Sequence, residues 1–112
     1  MTPPTAPEVT PAEAVQLVRE GAVLLDVRED SEWAAGHAEA AVHMPLGQLD
    51  PDRLLEGHPV VAVCRSGNRA GKAAARLQTQ GFDVHNLAGG MAAWEQAGLP
   101  LVTDSGAPGR VA

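Results

Sequence analysis

Two unbroken apolar stretches dominate the pattern of the chain. Ala22-Val23-Leu24-Leu25 ends at Asp26, and Val60-Val61-Ala62-Val63 ends at Cys64 and Arg65. Continuous apolar runs of this length, as opposed to alternating ones, predict strands buried on both faces, as in a parallel sheet covered by helices. Around them the period changes. In "TPAEAVQLVREG", Ala14, Leu17 and Val18 recur at helical spacing, with Thr10 placed as N-cap, Pro11 at the first helical position, Glu13 completing a capping box and Gly21 just past the end. After Cys64, Ala70, Ala73, Ala74 and Leu77 share one helical face while Lys72, Arg76 and Gln80 share the other, and Gly81 closes the helix.

The remaining segments are shorter. "DSEWAAGH" (30–37) predicts a brief helix capped by Asp30 or Ser31 and stopped by Gly36, and 40–45 a short strand ending at Pro45. Residues 46–59 form a polar connection in which Pro51 can open one helical turn. "FDVHNL" (82–87) predicts a short edge strand, and 89–100 a last helix between glycines and Pro100, with Trp94 packing it onto the sheet. Strands alternating with helices define an α/β fold: a small parallel β-sheet with helices on both faces. The expected organisation is a flexible N-terminal tail (1–7), one domain (8–102) and a flexible C-terminal tail (103–112), the tails being rich in Pro, Gly and Ser.

Composition narrows the function classes. The 112 residues carry a net charge of −6, which argues against nucleic acid and anionic membrane as partners. No apolar run is long enough to span a bilayer, and the N-terminus lacks the cationic and apolar regions of a secretory leader, so a cytoplasmic protein is expected. A single cysteine excludes an internal disulfide and a thiolate zinc cluster, and the four scattered histidines, His58 and His85 among them, form no ligand set. No metal and no cofactor are expected, and the chain is expected to be a monomer.

Attention therefore falls on "CRSGNR", where a buried strand turns into a helix. In parallel α/β sheets, ligands bind beyond the carboxyl ends of the strands. A loop entering a helix N-terminus there turns successive backbone N–H groups into one concavity, which favours an anion. Gly67 permits the necessary turn, and Arg65 and Arg69 add full charges. Cys64 at the rim of this nest is a candidate nucleophile, because the thiolate is the reactive form and such a field favours it. Arg65, Ser66, Gly67, Asn68 and Arg69 are the candidate substrate-binding residues. Asp26 and Arg28, at the end of the neighbouring apolar run, are candidate supporting residues, either as contributors to the field or as a structural ion pair.

Four motifs, in order, resemble the single-domain rhodanese (thiosulfate sulfurtransferase-like) family. "LLDVRE" is similar to its strand-end Asp-x-Arg motif, and "GHAEAAVHMPL" to its Gly-His-containing stretch, with Ala38, Ala40 and His43 replacing the usual Ile, Gly and Asn. "CRSGNRA" is similar to its active-site loop, and "LAGGMAAWEQAGLP" to its C-terminal signature. The resemblance covers about Glu8 to Leu101. It implies a rhodanese-like fold and a sulfurtransferase that takes a sulfane sulfur from thiosulfate or a similar small anionic donor, holds it as a persulfide on Cys64, and passes it to an acceptor such as cyanide or a thiol.

Two other functions compete. One is a sulfur carrier or interaction module that receives persulfide from a partner protein. The other is a cysteine-dependent phosphatase or arsenate reductase, whose loops resemble this one but use Cys-x5-Arg, whereas Cys64 and Arg69 stand one residue closer. The shorter loop suits one added sulfur atom better than a tetrahedral phosphate.

Overall fold

The computed structural model describes residues 6–54 and 56–112. In chain order its elements are β1 (Glu8–Val9), α1 (Pro11–Arg19), β2 (Val23–Asp26), α2 (Asp30–Ala35), β3 (Val42–His43), two short 3-10 turns (Leu46–Gln48 and Pro51–Arg53), β4 (Val60–Val63), α3 (Asn68–Thr79), β5 (Val84–Leu87) and α4 (Gly90–Gln96). The strands form one five-stranded sheet in the order β1-β5-β4-β2-β3, and every neighbouring pair is parallel. Among the described residues no helix is long and apolar enough to cross a membrane.

The two apolar runs are interior strands because each feeds two cores. Along β4, Val60 and Ala62 join Leu25, Val27 and Val84 on one face, where α3 packs through Ala70, Ala73, Ala74 and Leu77. Val61 and Val63 join Val9, Leu24 and Leu87 on the other, under Ala14 of α1 and Met91 and Trp94 of α4. Each face of each strand is apolar because each face is covered, so the run reads as continuous. The three alanines and Leu77 of α3 are fully buried, and the alanines' single-carbon side chains let that helix lie close against the sheet.

Helix α1 begins as its sequence demands. Thr10 Oγ1 accepts from Glu13 N at 3.1 Å and Glu13 Oε1 accepts from Thr10 N at 2.9 Å. The Thr10 backbone N–H also holds the Glu13 carboxyl below its usual range.

Three expectations change. First, β5 is not an edge strand. Glu8 and Val9 pair with Asn86 and Leu87, so β1 covers it and the edges are β1 and β3. Second, α2 is capped by Glu29, not by Asp30 or Ser31, and the Glu29 N–H donates to Glu32 Oε1 at 3.1 Å. Third, residues 103–112 do not run free. His37 and Val102 exchange both backbone hydrogen bonds at 2.9 Å, Gly109 N donates to Leu101 O, Arg110 N to Ala35 O, and Val111 N to Glu95 Oε2.

The return of this segment depends on a glycine pair. A Cβ on Gly36 would lie 2.5 Å from the backbone N and O of Arg110, and one on Gly109 would lie 2.7 Å from the Gly36 Cα. Backbone rests on backbone there, which side chains would prevent. Of the expected N-terminal tail (1–7), residues 1–5 lie outside the described residues, whereas Ala6 packs against the core and Pro7 O accepts from Asn86 N at 2.9 Å.

Candidate active site

β4 delivers Cys64 to the end of the sheet, and α3 starts four residues later at Asn68. The Cys64 side chain is 1% exposed and belongs to the core layer under α3. Gly67, the N-cap of α3, has φ +115°, a conformation that favours glycine. That turn aims its N–H at the sulfur, with Gly67 N 2.9 Å from Cys64 Sγ. A donor so placed can stabilise negative charge on the Cys64 sulfur when it is a thiolate.

The loop is held from behind by α4. Met91 N donates to Cys64 O at 2.7 Å and Ala92 N to Arg65 O at 3.1 Å. Gly90 has φ +60°, and a Cβ there would run into Cys64 O and lie 2.6 Å from the Arg65 carbonyl carbon. Gly90 thus lets α4 approach the loop backbone closely. From β5, Asn86 Nδ2 donates to Gly67 O at 3.3 Å.

Arg65, Ser66 and Asn68 are exposed at the rim, and Arg65 Nε donates to the Ala112 backbone oxygen at 3.0 Å. Arg69 differs from the free cation that the loop pattern suggests. Its guanidinium grips Glu32 of α2 with both terminal nitrogens, at 2.6 and 2.8 Å, so α2 and the start of α3 are clamped together.

This hydrogen-bonded pair holds the Glu32 carboxyl down at about 2 from 4.5, the Glu29 N–H assisting and burial opposing, and it pushes Arg69 upward. Because the folded-state value is depressed, the clamp stabilises fully above pH about 4.5 and is lost as pH falls through about 2. Glu32→Gln should therefore cost about 1 kcal/mol at neutral pH, the scale of a part-exposed ion pair. The difference from the unsubstituted protein should close across that acid window in urea melts. An equal difference at pH 7 and pH 2 would refute the clamp.

Asp26 and Arg28 are fully buried and form a bidentate ion pair, with Arg28 Nη2 2.8 Å from Asp26 Oδ2 and Arg28 Nε 3.0 Å from Oδ1. Arg28 Nη2 also donates to Gly36 O at 2.8 Å, and a His43 Nε2–H donates to Arg28 O at 2.8 Å. The pair therefore ties the ends of β2, α2 and β3 together below the loop, the structural alternative for these residues. His37 is structural too: its Nδ1–H donates to Trp33 O at 2.8 Å, and its ring stacks on Trp33 at 3.5 Å. No group of three or more His, Cys, Asp or Glu side chains among the described residues is placed to hold a metal.

Sequence reasoning missed Glu32 and Asn86. Glu32 lies 37 residues from Arg69 and Asn86 lies 19 from Gly67, and no local spacing links either pair.

Comparison with known proteins agrees with this architecture. Residues 10–97 match the model of the rhodanese-like domain. The thiosulfate sulfurtransferase GlpE of Actinobacillus succinogenes is 36% identical over 104 residues, covering 88% of this chain and 93% of that protein. An uncharacterised protein of Synechocystis, slr1261, is 40% identical over 104 residues; the match takes in 89% of this chain but 58% of the length of that relative. The crystal structure of a rhodanese-related protein from Thermoplasma volcanium superposes with a TM-score of 0.81 at 24% identity, covering 88% of this chain and 99% of that one, and shares the fold. Motif order, sheet topology and kinship converge, and the chain belongs to the rhodanese-like family.

Proposed function

We propose that this protein is a sulfurtransferase that carries a sulfane sulfur as a persulfide on Cys64. The observation that carries the reading is the Gly67 N–H directed at the buried Cys64 Sγ, in a loop whose Cys64 and Arg65 carbonyls are held by α4. The named relative GlpE supports the class of reaction.

In the first half-reaction the Cys64 thiolate attacks the outer sulfur of thiosulfate. A new S–S bond forms on Cys64, the S–S bond of the donor breaks, and its electron pair leaves with sulfite. In the second, cyanide or a thiolate attacks the terminal sulfur. The Cys64 S–S bond breaks and its electron pair returns to Cys64 as thiolate, giving thiocyanate or a persulfidated thiol. The Gly67 N–H faces the charge on the Cys64 sulfur at both ends of the cycle. Cys64 is the chain's single cysteine, so the persulfide cannot resolve into an intrachain disulfide and the acceptor is external.

Donor selection follows from the rim. Arg65 is the exposed loop cation and serves an anionic donor, with Ser66 and Asn68 beside it. The Arg69–Glu32 clamp disfavours a phosphatase, since the arginine that would embrace a phosphate already embraces a carboxylate.

Intact mass after incubation with thiosulfate, and then with cyanide, tests the proposal. A gain of one sulfur atom that cyanide removes is the expected result. No gain with thiosulfate, but a gain from a persulfidated protein, would shift the reading to a sulfur carrier fed by a partner. No gain from either would overturn it.

A further inference from the structure

Asn86 breaks the local rules of the strand that holds it. It lies on β5 with Ala62 of β4 on one side and Glu8 of β1 on the other, an interior position where asparagine is a poor strand former. Its Oδ1 is buried and has no hydrogen-bond partner among the described residues, a cost that an aliphatic side chain would not incur. A residue that carries two local penalties marks a place where another requirement prevails.

The requirement is visible at the other end of its amide. Asn86 Nδ2 donates to Gly67 O, and the orientation is fixed by that contact, because the reverse would set two carbonyl-type oxygens against each other. Gly67 is the residue whose N–H meets the Cys64 sulfur. It has no side chain, and a Cβ built on it would meet nothing within 4 Å, so packing does not hold its torsions. Its carbonyl is held along the helix by Gly71 N at 3.0 Å and from the sheet by Asn86. Two torsions join that carbonyl to the N–H, and anchoring the carbonyl from helix and sheet narrows the range over which the N–H can turn from the sulfur.

We propose that Asn86 is a positioning residue which, through the Gly67 carbonyl, keeps the Gly67 N–H aimed at Cys64 Sγ. Its relevance to catalysis rests on the reading of Cys64 as the sulfur carrier. Asn86 is neutral, so replacing it leaves the charges around the sulfur, Arg65 on the loop and the Arg69–Glu32 pair between α3 and α2, as they are.

Asn86→Leu keeps the approximate shape and removes both the donor and the stranded acceptor. Its melting temperature should equal or exceed that of the unsubstituted protein. Its second-order rate of Cys64 alkylation by iodoacetamide at neutral pH should fall about threefold to tenfold, the scale of one hydrogen bond to the reacting sulfur. Sulfur uptake from thiosulfate should fall by a similar factor in limiting rate, with little change in the donor concentration for half-saturation. A residue that only stabilises the fold would give the opposite pattern, a lowered melting temperature with alkylation unchanged, and that result would overturn the proposal.

If Asn86→Leu does not fold, Asn86→Ala carries the same alkylation expectation. An unsubstituted protein that takes up no sulfur would overturn the sulfurtransferase reading, whereas the alkylation comparison would still decide the role of Asn86.

Discussion

Asp26→Ala should cost about 3–5 kcal/mol of folding stability, because it leaves the Arg28 guanidinium buried without its counter-ion. Domains of this size are stable by about 5–15 kcal/mol, so the loss takes a large share of the total and the thermal transition should fall sharply. The loss exceeds that of an ordinary surface ion pair because both partners are fully buried and Asp26 accepts from the Arg28 backbone N–H as well. Removing both charges, in Asp26→Leu combined with Arg28→Met, should recover much of the loss, since no buried charge then remains unpaired. Urea denaturation of the three proteins checks this. A loss below about 1 kcal/mol in Asp26→Ala would show that Arg28 reaches solvent in the variant.

Cys64→Ser should abolish sulfur uptake while changing stability little. The hydroxyl fits the space of the thiol, and the Gly67 N–H can still donate to it. A serine oxygen at this site is a far weaker nucleophile towards sulfane sulfur, and there is no second cysteine in the chain to substitute. The intact mass should show no added sulfur after thiosulfate, and the thermal transition should stay close to that of the unsubstituted protein. A cyanide-labile sulfur on Cys64→Ser would remove Cys64 from the mechanism.

What could be read in the sequence follows the range of the interactions. The burial of β2, β4 and the inner face of α3 is written in local apolar patterns, and Ala70, Ala73, Ala74 and Leu77 are buried as their spacing requires. The loop around Cys64 was legible because strand end, glycine and helix start are adjacent in the chain. β1 was not, since two residues, Glu8 and Val9, carry no period, and without it β5 looked like an edge.

The partner of Arg69 was equally hidden. An arginine near a cysteine suggests an open positive field, and only the fold reveals that α2 swings Glu32 against it. The closure of residues 103–112 onto Gly36 depends on a pair of glycines far apart in sequence, and small polar residues there read as a loose tail.

The outermost strands, β1 and β3, are two residues each, whereas the three strands between them are four residues each. The inner strands "VLLD" and "VVAV" come from the kind of apolar, low-charge segments that stack into intermolecular sheets when exposed. In the folded protein those segments are fenced on both sides by stubs too short to template another chain. Protection against self-association is therefore concentrated in four residues, Glu8, Val9, Val42 and His43, of which Val9 alone is part of the buried core.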